Sequence, residues 1–69
     1  MDWTATNLIV QALAGLPPRQ KAAIALTYDQ GLSNAASAAV MEISVGAFEL
    51  LLVRARRALR EAMMEDKAQ

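Results

Sequence analysis

Sixty-nine residues, 55% of them apolar, bound this chain to one small globular domain of marginal stability, because so short a chain buries only about 60% of its unfolded surface. It has no cysteine for a disulfide and no His/Cys cluster for zinc; the staples of small secreted domains are missing, which favours the cytoplasm. Seven basic and seven acidic side chains cancel, so any affinity for nucleic acid has to come from local charge.

No apolar run approaches the roughly 20 residues of a membrane span, and Met1-Asp2-Trp3 lacks the basic start of a signal peptide. Residues 1–5 read as linker, and Trp3 is expected to pack on the first helix or fray, with no function assigned to it. Leu8, Ile9, Ala12, Leu13 and Leu16 recur at spacings of three to four and draw an amphipathic helix from about Thr6 to Ala14. Gly15 is expected to end it as a left-handed cap. Pro17 and Pro18 cannot extend a helix but suit the first turn of the next, where the missing N–H is an orphan in any case. A second helix therefore starts near Pro18, turns Ala23, Ile24, Thr27 and Tyr28 to the core, and stops at Gly31.

Ser33 is a natural N-cap for a third helix, Asn34 to Met41, with Ala36, Ala39 and Val40 expected inside. A three-residue turn, Glu42-Ile43-Ser44, follows, and Ser44 caps a fourth helix from Val45 to about Glu65. At 100° per residue Val45, Phe48, Leu52, Ala55, Leu59 and Met63 form one stripe, which has to face the other helices. The opposite side presents Leu50, Val53, Arg54, Arg57, Arg60 and Glu61, with Glu49 at its flank. Between Val45 and Arg60 four arginines face one glutamate, a local charge of about +3. Asp66 to Gln69 should fray. The chain thus reads as an all-α domain of four helices over residues 6–65, without a wing, whose last two helices form a C-terminal helix-turn-helix able to enter a major groove.

Catalysis has little to stand on. There is no histidine to titrate near neutrality, no cysteine nucleophile, no pair of carboxylates set across a cleft, no Gly-rich phosphate loop and no metal-ligand cluster. No catalytic residue, cofactor or metal is expected.

Leu16-Pro17-Pro18-Arg19-Gln20, Gly31-Leu32-Ser33-Asn34-Ala35, Val40-Met41, Ile43-Ser44-Val45-Gly46-Ala47 and Arg54-Ala55-Arg56-Arg57-Ala58-Leu59-Arg60 resemble, in sequence and in spacing, region 4 of extracytoplasmic-function (ECF) sigma factors. The resemblance covers about residues 6 to 62. DNA-binding domains of LuxR-type response regulators share the Gly-Leu-Ser-Asn and Ile-Ser blocks but lack the Leu-Pro-Pro opening and the Arg-rich end of the last helix. What the resemblance implies is a bacterial, cytoplasmic, non-enzymatic module of transcription initiation. Such a module recognises the minus-35 promoter element and docks on the flap of the RNA polymerase core. The chain is too short to hold the promoter-melting region 2 of such factors as well, so it is expected to be an excised domain or a solitary one.

The resemblance assigns the first two turns of the last helix to DNA. Ser44, Glu49, Leu50, Val53 and Arg54 are then expected nearest the base edges, with Asn34, Arg56, Arg57 and Arg60 nearer the phosphates. Several positions depart from the family pattern. Thr27 and Glu49 stand where basic residues are common, Leu50 where a small polar residue is frequent, and Ala36 where a glutamate would complete a capping box with Ser33. Glu42 lies where glycine is usual, at a cost of roughly 1 kcal/mol if the turn demands positive φ. Leu50 and Val53, with Met64, form an apolar set suited to an anti-sigma factor or to self-association. An interaction module with weakened DNA binding is therefore the second expectation.

Overall fold

The computed structural model describes the backbone of residues 3–67 and the side-chain environment of residues 8–64. Four helices follow one another: α1 (Trp3–Ala14), α2 (Pro18–Ile24), continued by a π-helical turn (Ala25–Asp29), α3 (Asn34–Met41) and α4 (Val45–Lys67). The first helix starts at Trp3, so Trp3, Thr4 and Ala5 belong to α1 and not to a linker. Expectations for Met1, Asp2, Ala68 and Gln69, and for the Trp3 side chain, fall outside the described residues. The last helix reaches Lys67, two residues beyond the expected end.

The helices break where the chain loses its means of continuing. The Gly15 N–H bonds to the Gln11 and Ala12 carbonyls at 3.2 Å, and Leu16 to Leu13 at 3.2 Å, which closes α1 in a tightened last turn. Gly15 does not take the left-handed conformation expected of it; Gly31, at φ 66, is the glycine that does. Pro18 opens α2, and the Lys21 N–H bonds to the Pro17 carbonyl at 2.9 Å. A π turn follows in which the Gln30 N–H reaches back five residues to Ala25. Beyond Gly31, Leu32 reaches six residues back to Leu26 at 3.0 Å. One extra residue in a turn rotates everything after it by about 100°. Tyr28, expected inside, lies in this turn and is 61% exposed, while Ala23 and Ile24 are buried as expected.

All three earlier helices pack on α4. The core is Leu16, Ala23, Ile24, Ala38, Phe48, Leu52 and Ala55, with Leu13, Leu26, Met41, Ile43, Leu51, Ala58 and Leu59 packed around it. Phe48 is completely buried and is its largest side chain. The expected stripe of α4 holds from Phe48 onward. Val45, at the helix start and 43% exposed, lies outside it. In α3 the inward face is Ser37, Ala38 and Met41, whereas Ala36, Ala39 and Val40, expected inside, face outward. The fully buried Ser37 hydroxyl has no hydrogen-bond partner, and an orphaned buried group of this kind costs about 1–3 kcal/mol. A chain of this length packs to a radius of gyration of about 11 Å when spherical; here it is 13.0 Å, because α4 spans most of the 39 Å long axis.

Candidate nucleic-acid interface

The turn between α3 and α4 is built by backbone chemistry first. Glu42 adopts φ 58, ψ 43, the left-handed conformation usual for glycine. With it in place, the Glu42 N–H bonds to the Ala39 carbonyl at 3.1 Å and the Ile43 N–H to Ala38 at 3.0 Å. This paired pattern satisfies the last carbonyls of α3 and tucks Ile43 against the core. Ser33 and Ser44 then cap the two helices, their Oγ atoms accepting from Ala36 and Ala47 N–H at 3.1 Å each. The outcome is an angle of 100° between α3 and α4, which turns the first turns of α4 outward. No single helix among the described residues is long and apolar enough to cross a membrane.

Burial of Phe48, Leu52 and Ala55 fixes the rotation of α4 about its axis. Everything on the other side is thereby presented to solvent. Ser44, Glu49, Leu50, Val53, Arg54, Arg56, Arg57 and Arg60 are all exposed. Arg54, Arg57 and Arg60, three residues apart, form a slanting ridge about 9 Å long. Arg56 adjoins the ridge at Arg60, four residues on, but is engaged elsewhere. Two residues on from Arg54, it points about 200° away around the helix, and its Nε donates to the Tyr28 hydroxyl at 3.0 Å. Its guanidinium lies 5.8 Å from the centre of the Tyr28 ring, within reach of a cation–π attraction. Tyr28 is the partner that sequence reasoning missed: it is 28 residues away, in the π turn that follows α2.

Asn34, at the start of α3, and Glu49, on α4, are brought together, with Asn34 Nδ2 donating to Glu49 Oε2 at 3.4 Å. Thr27 is half-buried in the π turn with its Oγ1 unpartnered, so this departure from the family pattern sits inside the domain and not on the α4 surface. Leu50 and Val53 are 47% and 53% exposed on adjacent turns. Met64, also exposed, lies three turns further on, with Arg57, Arg60 and Glu61 between.

A concavity of about 410 Å³ opens between α1, α2 with its π turn, and α4. Ile9, Leu13, Ile24 and Leu59 give it an apolar floor, with Lys21 and Arg56 at its rim. Leu59 in its wall points about 200° around α4 from Arg57, the middle of the ridge. Among the described residues, no three His, Cys, Asp or Glu side chains gather as a metal site would require.

A short capped helix, a left-handed turn, and a long helix carrying an exposed basic ridge define a helix-turn-helix domain. The sequence model of one family, sigma-70 region 4, matches residues 6–59. The chain therefore belongs to the sigma-70 region 4 family, the DNA-binding module of sigma factors, and its ties to promoter DNA and RNA polymerase are those of that family. Comparison with curated proteins finds no match.

Proposed function

We propose that this domain is region 4 of a bacterial ECF sigma factor, working in the cytoplasm. It would read the minus-35 element with α4 and dock on the flap of the RNA polymerase core. The observation that carries the reading is the ridge of Arg54, Arg57 and Arg60, exposed on the side of α4 opposite Phe48, Leu52 and Ala55. Guanidinium groups spaced one turn apart suit successive phosphates, and Ser44, Glu49, Leu50 and Val53 lie between them and the helix start, where a groove floor would be. The apolar concavity on the far side of α4 supports docking on polymerase, because an occupant there leaves the ridge uncovered. Arg56 joins the phosphate contacts once it leaves Tyr28. The test is a set of amide chemical shifts recorded as a minus-35 duplex is added. Changes concentrated between Ser44 and Arg60 are expected; changes confined to α1 and α2, or none, refute the reading.

One observation favours a second reading. Leu50 and Val53 form an exposed apolar pair beside Glu49, on the face that would meet DNA. A protein surface there, taking an anti-sigma factor or a second copy, would be an interaction module. Met64 would extend it only by including the arginines that lie between. In sedimentation experiments Leu50→Ser is then expected to abolish self-association while the helical spectrum is kept. Self-association that survives the substitution counts against this reading.

A further inference from the structure

Resting on the promoter reading above, we infer that Asn34 and Glu49 act as one base-reading unit, in which Asn34 orients the Glu49 carboxylate to select a cytosine in the promoter. A lone carboxylate on a DNA-facing helix is otherwise a liability, since it repels phosphate. The structure shows what restrains it: Asn34 Nδ2, from the first residue of α3, donates to Glu49 Oε2, and Asn34 is itself half-buried and held next to the Ser33 cap. At 3.4 Å the contact is long and lies at the surface, so it biases the Glu49 side chain towards α3 rather than locking it there. One turn into α4, flanked by Leu50 and Val53 and with Arg54 further along, its Oε1 accepts no hydrogen bond from the described residues.

Chemistry then decides what such an acceptor tolerates. In the major groove guanine offers N7 and O6 and thymine offers O4, all acceptors, which repel a carboxylate. Adenine offers one donor, N6, but beside it the N7 acceptor. Cytosine offers its N4 amino group with C5–H, and no acceptor of its own, on the open side, and is the base a carboxylate suits best. Glu49 therefore discriminates at one base pair, while the arginine ridge supplies affinity that does not depend on sequence. Asn34, expected from the sequence to lie near the phosphates, is on this account a positioning residue whose amide is already engaged.

The test is selection from a pool of randomised duplexes at low salt, followed by sequencing, with the chain as it stands and with Glu49→Gln and Asn34→Ala; circular dichroism confirms that both variants are helical. The unmodified chain is expected to select a motif in which one pair favours cytosine about fivefold or more, the lower end of what a directed base contact is worth. Glu49→Gln is expected to move that pair alone from cytosine to adenine, whose N6 and N7 a glutamine amide matches. Asn34→Ala is expected to flatten the same pair and leave the others. A motif that Glu49→Gln leaves unchanged at every position overturns the inference while the promoter reading stands. Weakening by Asn34→Ala that is even across all sequences makes Asn34 a phosphate contact and overturns its positioning role. If the unmodified chain selects no motif at all, the promoter reading falls and the inference falls with it.

Discussion

Replacing Glu42 by glycine should stabilise this domain, although it removes a side chain and loosens the unfolded chain. Among the described residues Glu42 is the one non-glycine residue with positive φ, at φ 58 and ψ 43, and that conformation costs an L-residue with a Cβ about 1–2 kcal/mol. Glycine relieves the clash but gives back about 0.5–1 kcal/mol through the extra freedom of the unfolded chain. Taking the middle of each range, the net gain is about 0.75 kcal/mol. At about 2.1 cal/mol/K per residue, unfolding 69 residues carries an entropy near 0.14 kcal/mol/K, so the midpoint should rise by about 5 °C. Thermal melts followed by far-ultraviolet circular dichroism are the assay. Glu42→Ala is the control, because it removes the same charge and keeps the Cβ; it should melt with the unmodified chain. A Glu42→Gly variant that melts no higher than Glu42→Ala would refute the assignment of strain to this residue, and with it the account of how the turn is closed.

Phe48 is completely buried at the centre of the core, and Phe48→Ala should cost about 3–5 kcal/mol, enough to leave so small a domain largely unfolded at room temperature by circular dichroism. Ser44→Ala removes the acceptor for the Ala47 N–H and should lower stability by about 1 kcal/mol in urea titrations, with the denaturant slope unchanged. Among the arginines, Arg57→Ala should reduce the salt slope of DNA binding by about 0.9, the release expected for one phosphate. Arg56→Ala should change it by less, because its guanidinium starts on Tyr28 and not on the ridge; equal effects of the two would put Arg56 on the same footing as Arg57.

Punctuation was the part of the fold most legible in the residues. Pro17-Pro18, Gly31, Ser33 and Ser44 each act on their own backbone or on a neighbour three residues away, and each sits at the helix end it marks. Long-stripe periodicity was legible too, in α4, where Phe48, Leu52 and Ala55 are large or small apolar residues opposed by charge. Phase failed in α3. Its sequence, Asn34-Ala35-Ala36-Ser37-Ala38-Ala39-Val40-Met41, offers apolar residues on every face, so periodicity had nothing to choose between, and the structure buries a serine and exposes a valine. The π turn was illegible for a different reason: no residue type among Ala25–Asp29 requires it. The Tyr28–Arg56 contact, made from within that turn, was hidden with it. At the interface, the exposed residues of α4 followed from the wheel, whereas the Asn34–Glu49 contact joins two helices across the turn and depends on the 100° angle between them.

The central claim is that α4 reads promoter DNA, and fluorescence anisotropy tests it most directly: a labelled minus-35 duplex of the GGAAC type against a scrambled duplex, across a salt series. Three ridge arginines, or four with Arg56 released, predict tighter binding to the first duplex and a log–log salt slope of about −3 to −4. Equal affinity for the two duplexes, or binding that does not change with salt, would contradict it.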